Sequence, residues 1–177
     1  ETVATTLENP KAKQGTRLTK QELSPLSPAT TNISDSIPRL DAASDAGRPY
    51  LAAANAARAR DTDLLVAVGG GSVVDATKVV QLCLWQNITT PEAMTPFAAG
   101  FDRSRASTFN VPANAVRMLA VPTTLSAADF TSRAGITNTQ THTKMAFGHR
   151  LLVPRSVVLD PKATLDTPPW LLFSTGI

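Results

Sequence analysis

A glycine triplet and a serine, Gly69-Gly70-Gly71-Ser72, stand between the apolar run Leu64-Leu-Val-Ala-Val68 and a segment of helical period. Residues of these types in this order can hold an anion. Phosphate oxygens must come close to backbone nitrogens, and a Cβ at these positions would block them. A helix starting at the same point adds its first amides and a partial positive charge. The spacing is neither Gly-x-Gly-x-x-Gly nor that of a Walker loop, which carries Lys-Ser/Thr. A tight strand–helix turn that uses glycine for steric reasons alone is the competing reading.

Asp75 and Lys78 follow in the first two turns of that helix, three residues apart on one face. Such a pair is either an exposed ion pair contributing about 0.3 kcal/mol, or part of a site, with Asp75 near a ligand and Lys78 tying down neighbouring loops. Val121-Pro-Thr-Thr-Leu-Ser126 follows a second apolar run and puts Thr123, Thr124 and Ser126 at the carboxyl end of a strand. Open α/β sheets bind ligands along that edge. These hydroxyls can donate to pyrophosphate or ribose oxygens; the alternative is a polar turn closed by its own Ser/Thr bonds. His142 and His149 lack acidic or histidine neighbours at ligand spacing and read as surface residues. Cys83 falls on the apolar face of the helix and reads as a buried core thiol.

The elements that must position these residues are legible from period and punctuation. Pro49 to Arg60 is alanine-rich and predicts a helix with Pro49 in its first turn. Leu64–Val68 predicts a buried strand. The spacing of Val73, Val74, Thr77, Val80, Gln81 and Leu84 predicts a helix from Ser72, capped by the Ser72 hydroxyl, to about Trp85. A long loop from Thr89 to Pro112, with one helical turn near Pro91–Met94, leads to a second strand, Arg117–Val121. Thr131–Thr137 and Lys144–Phe147 predict a hairpin, and Ser156–Asp160 a third core strand stopped by Pro161. Apolar strands joined by helices predict an α/β domain with a parallel sheet, the hairpin lying on its edge. Residues 1–48, rich in Thr, Ser, Pro, Lys and Asn, predict an irregular segment with a short strand or turn around Thr2–Leu7, and residues 49–177 one partial domain.

Bulk properties exclude several classes. A net charge of +3 on scattered Lys and Arg, without interleaved aromatics, gives no nucleic-acid surface. A single cysteine excludes an internal disulfide. No apolar run is long enough for a bilayer-spanning helix, and no signal peptide is visible, so a cytosolic location is expected.

Together the motifs resemble the iron-containing alcohol dehydrogenase family. The matching pieces are Asp63-Leu-Leu-Val-Ala-Val-Gly-Gly-Gly-Ser-Val-Val-Asp-Ala-Thr-Lys78, Val121-Pro-Thr-Thr-Leu-Ser-Ala-Ala-Asp-Phe-Thr131, Gly135-Ile-Thr137 with Lys144, Leu152-Val-Pro154, Val157-Val-Leu-Asp-Pro161, Thr167-Pro168 and Ser174-Thr-Gly-Ile177. The second piece looks closest to the branch that includes maleylacetate reductases. The resemblance implies a Rossmann-like dinucleotide-binding α/β domain, with the family's helical C-terminal domain lying beyond the point where this sequence stops. It implies that Gly70, Gly71 and Ser72 hold the pyrophosphate of NAD or NADP. Thr123, Thr124 and Ser126 would contact the phosphate and nicotinamide side, Lys144 the nicotinamide ribose, and Asp75 would sit near the nicotinamide. The family's iron or zinc polarises a substrate oxygen, but its first aspartate ligand comes immediately after the Thr-Gly-Ile segment and its histidine ligands belong to the helical domain, so no residue of this chain is assigned to a metal.

Two functional classes follow. One is an NAD(P)-dependent alcohol dehydrogenase or carbonyl reductase acting on a small molecule, present as its coenzyme-binding half and possible as a homo-oligomer. The other is a nucleotide-binding relative without turnover. A lyase on the same scaffold fits the Thr-Thr-Leu-Ser segment less well.

Overall fold

The computed structural model describes residues 48–98, 110–138 and 143–176. The irregular segment expected before residue 48, most of the loop around residues 99–109, and the hairpin tip with His142 lie outside the described residues.

The chain enters with helix α1, Arg48–Ala59, whose Tyr50, Leu51, Ala53 and Ala54 form a buried stripe. Strand β1, Leu64–Gly69, runs into helix α2, Gly71–Trp85. Strand β2, Arg117–Pro122, lies parallel to β1 in the register Leu64↔Arg117 to Gly69↔Pro122. Hairpin strands β3, Arg133–Asn138, and β4, Thr143–Gly148, pair antiparallel; β5, Ser156–Val157, then joins β2 in parallel, and α3, Pro169–Ser174, follows. The order of the main sheet is β1-β2-β5. Helix α2 packs on one face of it over Leu65, Ala67, Met118 and Ala120, and α1 packs beside α2.

Helix α2 ends with Asn87 in the left-handed region at φ 50 while the Ile88 N–H donates to Cys83 O at 2.9 Å. This arrangement satisfies carbonyls that a helix end otherwise leaves orphaned. Arg58 of α1 completes it, donating from Nη2 to Cys83 O at 2.7 Å and Ile88 O at 2.9 Å. One side chain thus pins α1 to the far end of α2.

Four expectations change. Helix α2 starts at Gly71 with Gly70 in the cap position and no side-chain capping bond, so Ser72 is an exposed second helical residue and not the cap. The hairpin forms its own two-stranded sheet against α2, through Ala134, Ile136 and Phe147, and does not extend the parallel sheet. The third strand is two residues long. Val158 N–H still reaches Ala120 O at 2.8 Å, but Asp160 Oδ1 then accepts from Lys162 N–H at 2.9 Å and turns the chain away, leaving Leu159 exposed. His149 is half-buried rather than a surface residue, its ring edge-on to Trp85 at 6.0 Å, and burial and the neighbouring Arg150 and Arg117 lower its pKa.

The apolar run of β1 is buried on alternate residues only. Leu65 and Ala67 face α2, whereas Leu64, Val66 and Val68 are 44%, 40% and 54% exposed. Cys83 is fully buried, as its place on the apolar face of α2 requires. No helix among the described residues is long and apolar enough to cross a membrane.

Candidate functional site

The parallel ladder sets two turns side by side at the carboxyl edge of the sheet. Gly69 pairs with Pro122, and Thr123 N–H donates to Gly69 O at 3.0 Å, carrying the pairing one step past both strands. The glycine turn from β1 therefore faces the Thr123–Ser126 turn from β2. A Cβ on Gly70 would stand 3.0 Å from Thr124 Cγ2 and 3.2 Å from Oγ1, and one on Gly71 would stand 2.5 Å from Ser126 Oγ. The bare positions thus admit two hydroxyl-bearing side chains to the start of α2.

That start is electropositive. The first intrahelical bonds run from Val73 and Val74 N–H to Gly70 O, at 3.0 and 3.2 Å, which leaves the Gly71 and Ser72 amides ahead of the helical ladder. Beside them Thr124 is only 8% exposed, and its Oγ1 has no hydrogen-bond partner among the described residues. A buried hydroxyl without a partner carries a desolvation cost of about 1–3 kcal/mol. Such a group next to forward-pointing amides is suited to an anion with several acceptor oxygens.

The Thr123–Ser126 turn is braced from the end of the chain. Thr167 Oγ1 donates to Thr123 O at 2.8 Å, and Leu125 N–H donates to Thr175 Oγ1 at 3.1 Å. Just beyond it Ala127 takes φ 55, a left-handed conformation that alanine adopts at a cost.

Lys78 sits beneath the same loop with no exposure. Its Nζ donates to Ala128 O at 2.6 Å, Arg133 O at 2.7 Å and Thr131 Oγ1 at 3.1 Å, and lies 3.3 Å from Asp75 Oδ1. Burial lowers the Lys78 pKa, with Asp75 and Asp129 pulling the other way. Asp75 Oδ2 accepts from Gly135 N–H at 3.1 Å. The pair, with Lys78 buried and Asp75 half-buried, thus ties α2 to the loop and the hairpin and is not an exposed helical ion pair.

Residues 49–161 match the family described as iron-containing alcohol dehydrogenase. The chain belongs to that family. It is similar to Dehydrogenase FUM7 of Gibberella moniliformis, at 39% identity over 123 residues, covering 68% of this chain and 29% of the relative. It is also similar to Dehydrogenase ALT3 of Alternaria alternata, at 38% over 121 residues, covering 68% and 30%. Among solved structures, a sulfoacetaldehyde reductase from Bifidobacterium kashiwanohense in complex with NAD+ superposes with a TM-score of 0.57 at 25% identity, covering 72% of this chain and 31% of that one. An iron-containing alcohol dehydrogenase from Thermococcus thioreducens gives 0.55 at 27%, covering 70% and 31%. The chain therefore spans about 30% of the length of the curated relatives it matches. It carries the Rossmann-like fold of an oxidoreductase family.

In this family member the structure brings Gly70, Gly71, Ser72, Thr123, Thr124 and Ser126 to one corner. Asp75 stands one turn along α2, and Lys144 lies on the exposed face of the hairpin, opposite Thr137. Sequence reasoning missed the bracing hydroxyls of Thr167 and Thr175. Their only signal was the recurrence of Thr167-Pro168 and Ser174-Thr-Gly in the matched series. No group of three His, Cys, Asp or Glu among the described residues could hold a metal ion, so these residues do not fit the family's iron.

Proposed function

We propose that this chain binds NAD or NADP as the coenzyme part of an alcohol dehydrogenase or carbonyl reductase, in the branch that resembles maleylacetate reductases. The observation that carries this reading is the unpartnered, buried Thr124 Oγ1 packed against Gly70, the residue just before the Gly71 and Ser72 amides. Gly70, Gly71 and Ser72 receive the pyrophosphate on backbone N–H groups, with the helix N-terminus favouring its charge. Thr124 and Ser126 donate hydroxyls from the facing turn, and Thr123 fixes that turn through its backbone. Asp75 and Lys144 flank the nicotinamide side. The bound coenzyme supplies or accepts a hydride; the chain's residues anchor the diphosphate and orient the rest.

No step is assigned to a metal. In this reading the substrate is a small alcohol or carbonyl, the location is cytosolic, and copies of the chain associate through apolar surface such as Leu64, Val66 and Val68. A second reading is that the same corner binds the nucleotide without turnover.

The test is to titrate the chain with NADH and NADPH while following nicotinamide fluorescence, then to assay aldehyde reduction with and without Fe²⁺ or Zn²⁺. Binding with turnover supports the first reading, and binding alone the second. No binding of either nucleotide contradicts both.

A further inference from the structure

The hairpin face turned away from α2 carries small residues. Gly135 and Ala146 are directly paired across the strands, and Thr137 pairs with Lys144. Lys144 is therefore the diagonal neighbour of Gly135 on the same face. The opposite face, with Ala134, Ile136 and Phe147, is buried in the core. A Cβ on Gly135 would stand 3.2 Å from Lys144 Cε and 4.0 Å from Nζ. The lysine stem thus lies along the backbone of residue 135, in space that only glycine leaves open. Asp75 Oδ2 holds that backbone by accepting from the Gly135 N–H at 3.1 Å. Asp75 is the fifth residue of α2, one turn from the Gly71 and Ser72 amides.

We infer that Gly135 is a positioning residue: with its N–H fixed by Asp75, it forms the track along which the Lys144 stem lies and sets where the ammonium meets the coenzyme's ribose. This rests on the proposed coenzyme reading and deepens it. Gly135 touches no ligand itself and acts through Lys144. Its backbone is outside the left-handed region, so alanine is not strained there. The atom an added methyl would meet is the far end of a flexible side chain, which can swing away. Gly135→Ala should therefore leave the fold intact while moving the ammonium off its place.

The experiment compares the parent chain, Gly135→Ala, Lys144→Ala and the double variant for NADH and for ADP, which lacks the nicotinamide ribose. Lys144→Ala is expected to raise the NADH Kd about tenfold, as for a lost charge-assisted hydrogen bond. Gly135→Ala should raise it severalfold, and the double variant should match Lys144→Ala alone, with ADP affinity unchanged throughout. A merely structural role would add the same factor in both backgrounds and would weaken ADP as well; that result overturns the inference. So does parent-like NADH binding by Gly135→Ala, or by Lys144→Ala. If the parent binds neither NADH nor ADP, the coenzyme reading itself fails and takes the inference with it. Should Gly135→Ala not fold, the parent decides: a nuclear Overhauser contact between the Lys144 ε-methylene and the Gly135 α protons is expected, and its absence overturns the assignment.

Discussion

Thr124 packs directly against Gly70, so closely that a Cβ on residue 70 would stand 3.0 Å from Thr124 Cγ2 and force it to shift. Bare backbone at a strand–helix turn is readily assigned to a phosphate, but here its first use is to let a neighbouring turn approach. Gly70→Val would drive branched methyls into Thr124. We expect a loss of about 1–3 kcal/mol of stability, as for overpacking, together with lost nucleotide affinity. Thermal melting and a fluorescence titration of the same sample check both. Unchanged nucleotide affinity in a folded variant would contradict the assignment.

Thr124→Val separates the ligand role of the hydroxyl from its packing. The shape is nearly kept, and the buried, unpartnered Oγ1 disappears. Removing a desolvated group that makes no bond should raise the stability of the unliganded chain, by about 1 kcal/mol. The same change should weaken NADH binding. The two measurements therefore move in opposite directions, and a variant that loses stability would show that Thr124 Oγ1 has a partner in solution.

Lys78→Met keeps the length of the side chain and removes the charge that joins Ala128 O, Thr131 Oγ1 and Arg133 O. Two backbone carbonyls and the Asp75 carboxylate lose a donor, at a cost of about 3 kcal/mol. The urea midpoint should fall sharply with little change in the denaturant slope. A shift no larger than that of a surface ion pair would place the tie outside the folded core.

Cys83 gives a pH dependence. Burial raises its thiol from 9.0 to about 12, with Arg58 opposing the shift slightly. A folded-state value above the unfolded one stabilises fully below about pH 9, and the contribution is lost as pH climbs toward 12. Through that window the unfolded chain releases a proton that the folded chain keeps, costing about 1.4 kcal/mol per pH unit. Tyr50, raised by burial and by Asp75, acts in the same sense at higher pH. Urea midpoints between pH 8 and 10.5 should therefore fall more steeply for the parent than for Cys83→Ala. Equal slopes would mean that the thiol is accessible.

What could be read in the sequence follows from where the physics is local. Apolar runs, helical spacing and glycine punctuation mark β1, α2 and β2 because these are properties of a few neighbouring residues, whereas the one-sided burial of β1 is not. Ser72 misled because capping preference favours serine, while the packing of Thr124 and Ser126 decided where the helix could begin. Ser156–Asp160 looked like a full strand because hydropathy does not register the Asp160 side-chain turn that ends it. The burial of Lys78 was not visible either, since its acceptors come from residues 128 to 133, far along the chain. The braces at Thr167 and Thr175 are long-range for the same reason.

The most direct test follows the backbone amides of the assigned full chain by NMR during titration with NADH. The account predicts that Gly71 and Ser72 move most, with Thr124 and Ser126 beside them. Shifts concentrated at the opposite ends of β1 and β2, with Gly71 and Ser72 unmoved, would contradict it.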